Sequence, residues 1–105
     1  MEVDLGAETR SQTARVRVGD VIAIRLAETP TTGYRWFLAE LPPSVGVLES
    51  HYEPPSLATP GAPGERLLRL RAQQPGVAVV RLTKRRPWAE GDIVEDYAVT
   101  IEIEP

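Results

Sequence analysis

The sequence has no cysteine, which excludes disulfide staples, thiolate zinc centres and a catalytic thiol within this chain. It has no excess of basic charge either: twelve Lys and Arg stand against fifteen Asp and Glu, for a formal net charge of -3. Overall attraction to nucleic acid or to an anionic membrane is therefore not expected. No stretch approaches the roughly 20 apolar residues that a membrane-spanning helix needs. Residues 1–10 carry Glu2, Asp4 and Glu8 and lack a basic region followed by an apolar one, so no export signal is legible. A cytoplasmic protein or a mature exported fragment would both look like this. Missing too are an amphipathic helical stripe of ten or more residues, an internal repeat and a phosphate-binding loop.

Present instead are ten prolines and eight glycines, spread between short apolar runs rather than gathered into a low-complexity tract. A chain of 105 residues suits one domain, residues 1–105, and a globule of this size buries roughly two thirds of its unfolded surface. The apolar runs repeat with period two: Val16 and Val18; Ile22, Ile24 and Leu26; Tyr34, Trp36 and Leu38; Val45, Val47 and Leu48; Leu68, Leu70 and Ala72; Ala78, Val80 and Leu82; Tyr97, Val99, Ile101 and Ile103. Alternation of this kind marks strands with one face in the core and one in water. Gly19-Asp20, Pro42-Pro43 and the proline-rich segment 54–64 punctuate them. The expected fold class is all-β, an immunoglobulin-like β-sandwich of about seven or eight antiparallel strands.

Three loops carry the residues of interest. In Thr29-Pro30-Thr31-Thr32-Gly33-Tyr34, Pro30 fixes its own φ and restricts Thr29, Gly33 is free to take a positive φ, and the threonines are stiff at χ1. The loop is expected to be pre-shaped. Trp36, two residues on, belongs by alternation to the inward face with Leu38. A plain turn has no need of two β-branched hydroxyl residues at its tip, so for Thr31 and Thr32 a structural and a binding role weigh evenly. Further on, Arg86-Pro87-Trp88 follows a strand end and precedes the polar stretch 89–96, which places Trp88 on a proline-stiffened loop. Trp and Arg are the types most enriched at binding hot spots; the competing role for Trp88 is a lid over the sandwich edge. In Gly61-Ala62-Pro63-Gly64 small residues leave backbone groups open to pairing with another chain, although most such stretches are connectors.

Catalytic readings find little support. His51 is the single histidine, and Ser50, Tyr52 and Glu53 alternate across a strand around it without forming a triad; it reads as a surface residue. Glu90, Asp92, Glu95 and Asp96 miss the spacing of a calcium loop and read as a solvated acidic turn. No metal and no cofactor is expected.

The three loops, in this order and in a chain of this length, resemble the chagasin family of inhibitors of papain-like cysteine proteases. That family carries N-P-T-T-G-Y/F, a glycine-rich segment and R-P-W on an immunoglobulin-like sandwich. Here Thr29 replaces the usual asparagine, and its hydroxyl can take over part of the amide's bracing. The resemblance implies a monomeric, non-enzymatic inhibitor of cathepsin L-like proteases whose three loops lie side by side and fill the cleft. It implies that Thr31 and Thr32 sit over the protease's catalytic cysteine, that residues 61–64 pair with its substrate-binding strand, that Trp88 packs on aromatic groups, and that Arg86 orients its loop or meets a carboxylate. The alternative is a generic immunoglobulin-like binding or adhesion module.

Overall fold

The computed structural model describes residues 1–55 and 62–105. Among these residues, eight strands follow one another: β1 (Glu2–Leu5), β2 (Thr13–Arg17), β3 (Val21–Glu28), β4 (Arg35–Glu40), β5 (Val45–Glu53), β6 (Gly64–Ala72), β7 (Gly76–Arg85) and β8 (Glu95–Glu104). They form two four-stranded sheets, in the order β1-β3-β6-β5 and β2-β8-β7-β4. Inward-facing residues of the period-two runs meet between the sheets: Ile22, Ile24, Leu26, Leu68 and Leu70 from the first, Val16, Trp36, Ala78, Val80, Leu82, Tyr97, Val99, Ile101 and Ile103 from the second, all buried. Two apolar layers sealed against each other are the arrangement that alternating strands favour.

The pairing is not antiparallel throughout. β1 runs parallel to β3, and β2 parallel to β8. The two N-terminal strands act as one edge strand that changes sheets at a short 3-10 turn, Ala7–Thr9. Thr9 holds that crossing: its hydroxyl donates to the Gly6 carbonyl at 2.7 Å and lies 2.9 Å from the Tyr97 hydroxyl. Burial pushes the Tyr97 phenol above its ordinary pKa. Strand β1 was not read from the sequence, because its inward pair, Val3 and Leu5, is only two residues long and is interleaved with Glu2 and Asp4 in an acidic segment.

Two expected positions differ as well. Val18 lies just beyond β2, in the turn that Gly19 closes with φ of 95°. Leu38 keeps the phase of Trp36 and pairs with Leu82, yet it is 39% exposed, because it sits on the outer strand β4 at the last position before the β4–β7 register shifts between Leu38 and Glu40. A bulge inserts a residue and turns the following side chains to the other face. β5, the other outer strand at this side of the sandwich, shifts likewise between Val47 and Glu49, which leaves Val47 and Leu48 exposed. Bulged edges are poor templates for pairing with further chains.

Outside the first sheet, charged side chains interlock. Arg69 pairs with Glu2 and Glu49, Arg25 with Glu53 and Glu65, and His51 lies between Glu49 and Glu53. His51 is thus a surface residue within an ionic carpet, and Leu67, which pairs with Arg25 on one side and His51 on the other, is buried among its members.

Candidate binding loops

The register places all three loops at one end of the sandwich. β3 ends at Glu28 opposite Gly64, where β6 begins, and β5 ends at Glu53 opposite Glu65. In the other sheet β4 begins at Arg35 opposite Arg85, near the end of β7, and β8 starts opposite Lys84. The connection between β5 and β6 therefore belongs to the first sheet and that between β7 and β8 to the second. Residues 29–34 cross from one sheet to the other between them.

This crossing is anchored by a buried carboxylate that the sequence reading passed over. Glu28 is 1% exposed. Its Oε2 accepts from Arg66 Nη2 at 2.7 Å, and its Oε1 accepts the Trp36 backbone N–H at 2.8 Å. The Trp36 indole N–H donates to the Ala27 carbonyl at 3.0 Å. One side chain thereby ties β3 and β6 of the first sheet to β4 of the second, directly beneath the first loop. The signal was present: Glu28 continues the inward series Ile22, Ile24, Leu26, and Arg66 precedes Leu68 and Leu70 in theirs.

Above it, Pro30–Thr32 form a 3-10 turn closed by Gly33 at φ 80°. The Thr32 backbone N–H and hydroxyl both donate to the Thr29 carbonyl, at 3.1 and 2.7 Å, and Thr32 Oγ1 accepts from the Tyr34 N–H at 3.3 Å. Thr29 braces the loop through its main chain; its side chain makes no capping hydrogen bond. The threonine pair divides in function accordingly. Thr32 latches the turn, whereas Thr31 is exposed and, among the described residues, has its hydroxyl free.

The third loop leans against the first. The Arg86 guanidinium stacks on the Tyr34 ring at 4.4 Å, and a Cβ added to Gly33 would lie 3.4 Å from Trp88 Cη2 and 3.7 Å from Arg86 Nε. A side chain at position 33 would thus be strained by the left-handed backbone, while its Cβ would sit at ordinary van der Waals distance from Trp88 and Arg86. Arg85 stacks on Phe37 at 4.0 Å and donates to the Arg86 carbonyl at 3.3 Å, fixing the root of the loop. The Ala89 N–H closes it onto the Arg86 carbonyl at 3.1 Å. Trp88 itself is 75% exposed, so it is no lid over the core, and Ile93 and Val94 on the same connection are also exposed.

Of the second loop, Gly61 lies outside the described residues. Ala62 is half-buried, Pro63 exposed and Gly64 buried. A Cβ on Gly64 would run into the Glu53 carbonyl and the Tyr52 hydroxyl. Gly64→Ala is expected to pry β5 from β6 at the mouth of this loop and lower stability by about 1–3 kcal/mol, read by thermal unfolding. Adding Tyr52→Ala should restore only part of that loss, because the main-chain clash remains.

A β-sandwich that gathers proline-stiffened loops at one end, with an exposed tryptophan beside an arginine stacked on a neighbouring loop, has the features common to loop-borne binding surfaces. The model of the chagasin family of peptidase inhibitors, I42, matches residues 15–103, and the chain belongs to that family, which consists of cysteine protease inhibitors and not of enzymes. It is 35% identical over 81 residues to chagasin of Trypanosoma cruzi, covering 72% of this chain and 74% of that protein. Its fold matches that of a cysteine protease inhibitor from Entamoeba histolytica with a TM-score of 0.87 at 24% identity, over 98% of this chain and 96% of the other. An inhibitor whose structure was solved in complex with falcipain-2 matches with a TM-score of 0.73 at 13% identity, over 99% and 90% of the two chains.

Proposed function

We propose that this chain, as a single domain spanning residues 1–105, is a reversible inhibitor of papain-like, cathepsin L-like cysteine proteases that binds as a monomer and closes the active-site cleft with its three loops. The first loop, Thr29, Pro30, Thr31, Thr32, Gly33 and Tyr34, enters over the catalytic cysteine with Thr31 foremost. Gly61, Ala62, Pro63 and Gly64 pair through their backbone with the substrate-binding strand. Arg86, Pro87 and Trp88 bring an aromatic anchor to the far side of the cleft.

The observation that carries this reading is the contact of the first and third loops, with Gly33 fitted against Arg86 and Trp88 while most of the indole stays in water. An aromatic held in place and left exposed loses little conformational freedom when a partner covers it. Loops stiffened by Pro30, Pro63 and Pro87 also resist the extended pose that cleavage requires. Titration against papain and a cathepsin L-like enzyme tests it: activity should fall in proportion to added inhibitor up to one equivalent and recover on dilution. Full activity at stoichiometric concentration, the behaviour of an adhesion module, would overturn the reading.

A further inference from the structure

Most basic side chains of this protein are matched to carboxylates. Arg10, Arg15, Arg25, Arg66, Arg69, Arg81 and Lys84 each have one within 4.0 Å. Arg17, Arg35, Arg71, Arg85 and Arg86 form no such pair among the described residues, and residues 56–61 contain no acidic side chain that could supply one. Arg17 and Arg71 stand at the end remote from the loops, where β2 and β6 finish. The other three stand together at the loop end.

Their placement runs against ordinary sheet design. Arg35 and Arg85 are directly opposite each other on neighbouring strands, where like charges repel and destabilise the pairing. The acidic residues Glu90 and Asp92 of the third loop leave both unneutralised. Instead, Arg85 is held flat on Phe37 and Arg86 on Tyr34; Arg85 Nη1 is spent on the Arg86 and Pro87 carbonyls, and stacking of this kind leaves the remaining guanidinium N–H groups open to carboxylate. The ionic carpet on the first sheet shows that the sequence pairs charges where nothing else must bind.

We propose that Arg35, Arg85 and Arg86 form a cationic strip that receives carboxylates on the protease surface beside the cleft, next to the Trp88 contact, and so selects among proteases by the charge of that rim. The proposal rests on the inhibitory reading above. Arg35 and Arg85 are then specificity residues in addition to the three loops. Complementary charge of this sort acts mainly on the rate of encounter and fades as salt screens it.

The test is the association rate constant, measured by stopped flow at low and high salt against papain-like proteases differing in rim acidity. Wild-type protein should associate fastest with the most acidic rim at low salt. Arg35→Gln, which breaks no hydrogen bond of the fold, should slow that association on the order of tenfold, flatten its salt dependence and leave dissociation unchanged; Arg35→Lys should keep most of the rate. Arg35→Gln and Arg85→Gln variants that match the wild-type rate and salt slope across the panel would overturn the strip. So would an unaltered protease rate accompanied by lost retention on immobilised heparin, which would assign the arginines to a sulfated polymer. Absence of any inhibition by the wild-type protein would instead remove the inhibitory reading itself.

Discussion

Replacing Trp88 with alanine should raise the inhibition constant toward a papain-like protease by roughly 30-fold to 1,000-fold, which corresponds to the 2–4 kcal/mol typical of a hot-spot aromatic. The loss should fall mainly on dissociation, because an anchor seated in a pocket governs how long the complex lasts. The melting temperature should stay within a degree or two, since the indole is 75% exposed and little of the core rests on it. Trp88→Phe should recover part of the affinity by keeping an aromatic face. An inhibition constant within twofold of wild type for Trp88→Ala would remove Trp88 from the interface.

Glu28→Ala should have the largest effect on stability, about 3–5 kcal/mol. The substitution strands Arg66, which is 18% exposed and cannot fully regain water, and removes the acceptor of the buried Trp36 N–H; an unsatisfied buried donor alone costs about 1–3 kcal/mol. For a domain of this size the expected fall in melting temperature is roughly 15 °C or more. Glu28→Gln keeps an oxygen for Trp36 and loses the charge, and should fall between. Thermal and denaturant unfolding of both variants would measure this. A loss below 1 kcal/mol for Glu28→Ala would show that the ion pair does not hold the two sheets together beneath the first loop.

The two substitutions separate what the loops do from what holds them. Trp88 is the exposed residue proposed to meet the protease and contributes little to the fold, whereas Glu28 is sealed inside and supports the position of the first loop. That separation explains how a conformationally stiff binding end can be carried on a small sandwich. The first loop is tied below by Glu28, within by Thr32 and at its side by Arg86 on Tyr34. Each restraint is local and lies outside the surface that a partner would cover first, Thr31 and Trp88.

Much of this was legible in the chain. Alternation alone put Ile22, Ile24, Leu70, Val80, Val99 and Ile101 in one core, because strand side chains have a period of two and burial selects one phase of it. The same rule placed Trp36 inside, and proline with flanking polar residues placed Trp88 outside. Family membership followed from the loop motifs, which are short, contiguous and spelled in residues with unusual backbone demands. The parallel pairing of β1 and β2 was not legible, since parallel and antiparallel neighbours leave the same alternation in a half-buried strand. The exposure of Leu38 was hidden for a related reason: it depends on β4 lying at the edge of its sheet, which alternation along the strand does not reveal.

Glu28 marks the boundary between the two kinds of knowledge. Its inward phase could be read, yet an inward glutamate acquires meaning only when Arg66, 38 residues later, arrives in the adjacent strand. The cationic strip is similar, because Arg35 and Arg85 are fifty positions apart and become a like-charged pair only through the register of β4 and β7. By itself the sequence determined strands, turns, loop stiffness and family, all of which depend on neighbours in the chain. Only the tertiary structure decided strand direction, the seating of Trp88 against Gly33, and which charges are paired or left open, because each depends on distances between residues remote in sequence.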